Sequence, residues 1–375
     1  MIQEIKLPFR LKRPMLALGG DLKGAYALAR GSKAFLVGEF GDLAELDNFL
    51  RYRESIRKHM RSLGIDPTLA VSDMHPGYMS TKFGEEWSGG SKRRSVLKIQ
   101  HHQAHCAACM ADNGISGKSI CVSFDGTGYG SDGNVWGGEF FLYDGKTFKR
   151  AAYLMNMRMP GSESAIREPW RMAVSYLREA FGKQYRKLNI KLIRTMIKKR
   201  ERDAVEHMLD TGLNSPMTSS AGRLFDAVGA MVLPMRKITY EAEAPIELEK
   251  LTDTMIEGSY EFQIRREGGV CVVDTLPVIR GVVNDLSRNA PKPRVATKFH
   301  NTVAAVIRAV CVDLARSHRV TNVFLSGGVF LNAYLLAASK DALTGEKLNV
   351  RAHSRVSTSD YGLPLGQLAI AAAVS

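Results

Sequence analysis

His101-His-Gln-Ala-His105, followed by a helical pattern and then by Val122-Ser-Phe-Asp-Gly-Thr-Gly-Tyr-Gly130, is the stretch that decides how this chain is read. A helix over 103–113 places His101 and His105 four residues apart around its start, near enough to share a metal ion. Two histidines hold an ion weakly, so a further ligand is expected from far along the chain. The glycine-rich turn after the apolar strand 120–124 points to a phosphate nearby, because glycine lets backbone N–H groups approach phosphate oxygens.

Outward from that stretch the chain reads as one pattern written twice. Short apolar segments at 15–18, 25–28 and 34–37, separated by turns that begin with Gly19-Gly20-Asp21, predict antiparallel strands. A helix over about 43–63, a strand over 69–72 running into Asp73-Met-His75-Pro76-Gly77, another helix and a strand over 96–99 follow. That last strand delivers Gln100 and His101. From Ser119 the pattern restarts: a strand over 120–124 ends in Asp125-Gly126-Thr127-Gly128, with strands over 134–143 and 148–155 behind it. The repeat predicts a duplicated α/β fold, with an N-terminal lobe over 1–115 and a C-terminal lobe over 116–375. The second lobe carries a mostly helical insertion at about 165–235, broken at Ser215-Pro216 and Ser219-Ser220. Val323-Phe-Leu325, Ser326-Gly327-Gly328, a helix over 332–343, a strand over 348–350 and a small-residue helix from Gly366 close the chain. The three glycine turns together resemble the facing phosphate loops of the superfamily that includes sugar kinases, actin and heat-shock chaperones.

Length and composition bound the function. At 375 residues, 45% of them hydrophobic, the chain has room for two ordinary cores. No apolar run approaches membrane-spanning length, and the first residues lack a secretory pattern, so a cytoplasmic location without membrane contact is expected. Five cysteines at irregular spacing predict reduced thiols. Cys106-x-x-Cys109 reads either as redox or metal chemistry or as a buried helical face, and Ala107, Ala108 and Met110 favour the buried face. A formal charge of +14 makes acidic partners plausible. Much of it falls in 186–200, read as a solvated helix face ahead of an RNA-binding stripe.

For the missing ligand the strongest candidate is Asp360, after a late strand, with His75 and His353 as competitors. A His, His, carboxylate set leaves open positions suited to phosphate or substrate oxygen and accepts iron or zinc. On residues alone, Asp360 reads equally well as the cap of a helix beginning near Leu363.

Longer strings carry a family resemblance. Gln100-His-His-Gln-Ala-His105, Phe124-Asp-Gly-Thr-Gly-Tyr-Gly130 with Trp136-Gly-Gly-Glu-Phe140, Arg167-Glu-Pro-Trp-Arg171, Ser219-Ser-Ala-Gly-Arg-Leu-Phe-Asp226, Phe299-His-Asn-Thr302 and Leu325-Ser-Gly-Gly-Val-Phe330 resemble, in order, the C-terminal portion of the HypF carbamoyltransferases of hydrogenase maturation. The resemblance implies a two-lobed fold with a metal and a nucleotide in the cleft. It implies transfer of a carbamoyl group from carbamoyl adenylate, made from ATP and carbamoyl phosphate, to the C-terminal cysteine of a HypE-type acceptor. Carried over by motif, His101, His105 and Asp360 are the expected ligands of a divalent metal. Asp125, Gly126, Gly327, Gly328 and Asn332 are expected on the phosphate side, and Asp226 and Glu247 at the ribose. On charge alone, Arg167 and Arg171 read as groups that add charge or hold substrate, or equally well as partners in structural salt bridges.

The same resemblance marks departures. Full-length members also carry an acylphosphatase-like domain, a zinc-finger region and an adenylate-forming domain, so a separate domain or protein is expected to supply the adenylate here. Ala242 and Pro245 stand where glycine and alanine are expected, and Gln103 where a histidine is usual. Competing readings are O-carbamoyl transfer to a small-molecule hydroxyl, threonylcarbamoyl transfer to tRNA, against which the specific strings argue, and a nucleotide- or partner-binding remnant without turnover. Nucleic acid is not an expected partner.

Overall fold

The computed structural model describes residues 2–374 and arranges their strands in two sheets. The first contains β1 (Ile2–Lys6), β2 (Met15–Ala17), β3 (Tyr26–Arg30), β4 (Lys33–Val37), β5 (Leu69–Asp73) and β6 (Ser95–Ile99), in the spatial order β1-β4-β3-β2-β5-β6. Strands β2, β3 and β4 form an antiparallel meander, whereas β5 and β6 run parallel to β2. Helix α1 (Leu46–Leu63) and helix α2 (Met79–Gly89) make the crossings that parallel neighbours require. Every residue of β2 and β5 is buried, as expected of strands covered on both faces.

Helix α3 (His101–Asp112) leads into the second sheet, which opens with β7 (Ser119–Tyr129), β8 (Val135–Tyr143) and β9 (Phe148–Leu154). After the short β10 (Met157–Arg158) come α4 (Glu163–Arg167), α5 (Trp170–Phe181), α6 (Lys199–Thr211), the short β11 (Met217–Thr218), α7 (Ala221–Val232) and α8 (Glu243–Glu249). A hairpin of β12 (Gln263–Glu267) and β13 (Val270–Asp274), then α9 (Leu276–Ser287) and α10 (Lys292–His318), lead to β14 (Asn322–Ser326), α11 (Ala333–Thr344), β15 (Asn349–Ala352) and α12 (Leu363–Val374). The order is β12-β13-β9-β8-β7-β14-β15, with β7, β8 and β9 antiparallel and β14 and β15 parallel to β7. Its run β9-β8-β7-β14-β15 repeats β4-β3-β2-β5-β6 in order and direction, so the expected duplicated two-lobed fold is present.

Two expectations need correction. The basic run 186–200 is not one helix: Gly182, at φ 56°, ends α5, a 3-10 turn covers Gly182–Lys187, a π-type turn covers Leu192–Met196, and regular helix resumes at Lys199. Tyr185, Ile190, Leu192, Ile193 and Ile197 are all buried and hold this irregular run against the lobe. The second lobe also does not keep 116–375 to its end. Leu363, Leu365, Leu368 and Ala371 of α12 join Met15, Val71, Ala104, Ala108 and Ala111 in the core of the first lobe.

That return of the chain is tightly specified. Asp112, ending α3, accepts hydrogen bonds from the Ser354 N–H (2.6 Å), the Arg355 N–H (3.0 Å) and Arg355 Nε (2.9 Å), which aims the segment after β15 back across α3. Beyond it α12 lies on α3 backbone to backbone. A Cβ placed on Gly366 would stand 1.8 Å from the Ala104 carbonyl oxygen and 2.8 Å from the Ala108 nitrogen, both parts of the rigid helix. Gly366→Ala is therefore expected to destabilise the protein by about 1–3 kcal/mol through helix separation. A urea midpoint equal to that of the unaltered protein would show that the two helices can part at no cost.

Candidate metal centre

Helix α3 starts where the sequence asks it to. Gln100, in extended conformation at the N-cap, accepts the Gln103 N–H through its side chain at 2.9 Å, so β6 hands His101 directly to the first helical turn. His101 and His105 then lie one turn apart with ring centroids 4.9 Å from each other. Asp125 arrives from β7 and Asp360 from the 3-10 turn Asp360–Gly362 ahead of α12. His101 Nε2 is 3.3 Å from Asp125 Oδ2 and 3.5 Å from Asp360 Oδ1; His105 Nε2 is 3.5 and 3.3 Å from the same two atoms. All four residues are buried, and their donor atoms lie within 4.8 Å of one another.

This geometry fits a divalent cation. Both Nε2 atoms are buried without a hydrogen-bond partner, since the four contacts are close enough for strong Coulomb attraction but misaligned for hydrogen bonding. Donors around a tetrahedral ion at about 2.0–2.1 Å stand about 3.3 Å apart, close to the four nitrogen–oxygen distances here, while the whole donor set spans up to 4.8 Å. The second ring nitrogen of His101 is also fixed, because Nδ1 lies 2.7 Å from Asp73 Oδ2 and donates to it, leaving the Nε2 lone pair free to face the cluster. Asp73 additionally accepts the His75 N–H at 2.8 Å.

Burial alone would depress the pKa of His101 and His105, but the carboxylates of Asp360, Asp73 and Asp125 outweigh it at His101, and those of Asp125 and Asp360 at His105, so both are raised. Burial opposes ionisation of Asp125 and Asp360 as well, yet the two imidazoles hold both well below the ordinary carboxylate range. Two imidazolium and two carboxylate groups are together neutral, and so are two imidazoles, two carboxylates and one divalent ion. A metal can therefore replace two protons without leaving net charge buried.

Asp125 thus stands in the cluster with the three expected ligands, rather than only on the phosphate side. Its other oxygen, Oδ1, accepts the Gly328 N–H at 3.0 Å and so ties the second glycine turn to the third. The alternatives for the missing ligand fall elsewhere. His75 stacks on Tyr78 with centroids 4.2 Å apart, and His353 Nε2 lies 2.8 Å from Ser326 Oγ. His102 lies outside the cluster, with Nδ1 against the Gln100 amide at 3.1 Å. Asp360 itself opens the 3-10 turn before the helix at Leu363, and Ser359 caps that turn by accepting the Tyr361 N–H.

The glycine turns divide in role. Gly327, at φ 98°, lies so close to Phe124 that a Cβ would be 2.2 Å from its carbonyl oxygen, and a Cβ on Gly126 would meet nothing within 4 Å. The first turn serves the frame instead. Gly19 is clamped by Gln367, which accepts its N–H at 2.8 Å and donates to its carbonyl at 3.1 Å, and this sets Gly20 against Asp360. Asp21 is buried and caps α2, accepting from Met79 N, Ser80 N and Ser80 Oγ at 2.6, 3.0 and 2.7 Å. Neither Gln367 nor Asp73 stood out in the sequence; only the i, i+2 position of Asp73 before His75 offered a hint.

The remaining expected residues are not in contact with the cluster. Asn332 caps α11 through Leu335 N (2.7 Å) and meets His300 Nε2 at 2.9 Å. Asp226 is buried in α7 with Arg223 Nε at 2.7 Å, and burial raises its pKa despite that arginine. Glu247 accepts from Tyr240 (2.9 Å) and Lys250 (2.6 Å). Arg167 is exposed at the end of α4, and Arg171 is held by Glu168 at 2.5 Å. Just before α8, Ala242 adopts φ 57°, the left-handed region that favours glycine. All five cysteines are free and buried, with Cys106 and Cys109 in an apolar cluster beside Cys121 and Phe324. Among the described residues no helix is long and apolar enough to cross a membrane.

Comparison with known proteins adds the context. Residues 10–112 match the family described as HypF Kae1-like domain, and residues 121–367 the family described as Carbamoyltransferase, Kae1-like Domain, second subdomain. Carbamoyltransferase HypF of Synechocystis sp. is 29% identical over 384 residues, covering 98% of this chain and 48% of that protein. The Carbamoyltransferase HypF homolog of Cupriavidus necator is 32% identical over 370 residues, covering 96% of this chain and 91% of that one. The crystal structure of full-length HypF in the phosphate- and nucleotide-bound form superposes with a TM-score of 0.93 at 33% identity, over 99% of this chain and 48% of that chain. T. kodakarensis HypF gives 0.87 at 25% identity, over 99% and 49%. The chain spans about half the length of most of these relatives and nearly all of the C. necator homolog.

Two predictions follow from the geometry. Because the raised histidine pKa values mean that protons compete with the metal, apparent affinity for zinc or ferrous ion should rise with pH through the neutral range, with up to two protons released per ion. Calorimetry in buffers of differing ionisation enthalpy measures that number, and His101→Ala should abolish both the binding and the proton release. Ala242→Gly should stabilise the protein by about 1 kcal/mol by removing left-handed strain; a lowered thermal midpoint would contradict the strain.

Proposed function

The chain belongs to the HypF carbamoyltransferase family of hydrogenase maturation, matching its Kae1-like subdomains, and from that premise we propose that it performs the transfer half-reaction. In it the carbamoyl group of carbamoyl adenylate passes to the C-terminal cysteine of a HypE-type acceptor. The observation that carries this reading is the junction at Asp125: one carboxylate oxygen faces His101 and His105, and the other holds the Gly328 N–H. A metal-donor cluster and a glycine phosphate turn therefore share one residue, as a substrate with a phosphate beside a reactive carbonyl requires.

Carbamoyl adenylate is a mixed anhydride. Attack of the acceptor thiolate on the carbamoyl carbon forms a C–S bond, the bond from that carbon to the bridging oxygen breaks, and AMP leaves with the electron pair on its phosphate oxygen. An iron or zinc ion held by His101, His105, Asp125 and Asp360 would supply Lewis-acid neutralisation of the charge gathered on oxygen. The side chains of the protein do the positioning. Asp73 keeps the His101 ring in one tautomer, and Gln367 keeps Gly20 against Asp360. The turn at Gly327 and Gly328 brings backbone to the β7 end without side-chain obstruction. Asp226 and Glu247 are assigned to the ribose, Asn332 to the phosphate side, and Arg167 and Arg171 to positive charge along the substrate's path. The nucleophile belongs to the acceptor, in keeping with the burial of every cysteine in this chain. The adenylate is supplied by an adenylate-forming domain or protein.

The test is intact-mass spectrometry of a HypE-type acceptor after incubation with this protein, metal and carbamoyl adenylate generated in place by an adenylating domain. A carbamoyl increment on the terminal cysteine is expected, reduced at least about a hundredfold in rate by His101→Ala. Metal and nucleotide bound without any increment would move the assignment to another acceptor.

A further inference from the structure

The cluster and the glycine turns offer an adenylate's phosphate metal donors and backbone N–H groups but no cationic side chain of their own. No lysine or arginine among the described residues is paired with His101, His105, Asp125 or Asp360. The backbone of the first glycine turn runs beside the cluster, since a Cβ on Gly20 would lie 3.1 Å from Asp360 Oδ2 and 3.7 Å from His101 Cε1. Three residues further on, the same turn presents Lys23. Its backbone is fixed: Asp21 is bonded into the start of α2, and Gly24, at φ 52°, is packed against Gly41 and Leu43. The side chain is partly exposed and within electrostatic reach of Asp360.

Lys23 Nζ instead meets Glu241 Oε2 at 2.7 Å, across the cleft on the second lobe. Glu241 comes from the irregular segment 234–242 between α7 and α8, next to left-handed Ala242. This is the one ion pair among the described residues that joins that segment to the first lobe. With the lysine side chain 35% and the glutamate 64% exposed, the pair is screened and weak, and an anion of higher charge density can displace the carboxylate.

We propose that Lys23 is the cation that binds the phosphate of the adenylate, with Glu241 as a stand-in carboxylate that the phosphate displaces, so that ligand entry frees segment 234–242 from the first lobe. The inference rests on the reading of the cleft as an adenylate site and adds to it the residue that recognises the phosphate. It makes the two partners of one ion pair act in opposite directions. Lys23→Met removes the phosphate's partner, whereas Glu241→Gln removes its competitor.

The experiment is calorimetric titration of the metal-loaded protein with AMP, with inorganic phosphate and with adenosine. Lys23→Met should weaken AMP and phosphate binding by about tenfold or more and leave adenosine unchanged. Lys23→Arg should retain most of the affinity, which excludes misfolding as the cause. Glu241→Gln should tighten AMP by about two- to fivefold. Equal weakening by Lys23→Met and Glu241→Gln would reduce the pair to a structural tie and overturn the inference, as would unchanged AMP affinity in Lys23→Met. Failure of the unaltered protein to bind any of the three probes would instead overturn the adenylate reading of the cleft, and this inference with it.

Discussion

The backbone contact of Gly366 on Ala104 and Ala108 is the constraint on which the rest of this molecule depends. It lets α12 lie against α3 closer than any side chain permits, and α3 is the element that carries both histidines. Through α12 the last residues of the chain close the core of the first lobe, although the strands just before them belong to the second. The two lobes are thereby sewn together at the helix that bears the site. Asp360, in the turn before α12, and Gln367, within α12, are placed by the same contact.

Burying two histidines and two carboxylates is unfavourable unless their charges are matched. The cluster matches them in either state, with protons or with an ion, and Asp73 adds a hydrogen bond that chooses the tautomer. What surrounds it is graded in kind. The first glycine turn is clamped by Gln367 and continues into a helix cap at Asp21, and its role is to press the backbone of Gly20 on Asp360. The turns at Asp125 and Gly327 are joined to each other through the Gly328 N–H. Three turns that look alike in sequence thus do different work because their neighbours differ.

The charge of the chain is likewise local in its meaning. The basic run before α6 is anchored by buried Tyr185, Ile190, Leu192 and Ile193, and its cations project outward from irregular turns. Arg186 pairs with Glu206 and Lys199 with Asp203, so part of the excess is answered within the lobe itself.

Much of this was legible in the sequence, and the reason is periodicity. The alternation of short apolar runs and glycine turns marked the two copies of one topology, and histidines at i and i+4 marked a pair of candidate ligands on one helix. Local spacing also placed most strands to within one or two residues. Tertiary structure alone decided the rest. That Asp125 shares the cluster, that Asp73 orients His101 and that Gln367 grips Gly19 are contacts across 20 to 350 positions of chain, and no local pattern encodes them. The lobe to which α12 belongs was equally hidden, because a helix of small and apolar residues has no marked face and takes its address from the surface it fits. Spacing within an element is a property of the sequence; the partner an element meets is a property of the packed fold.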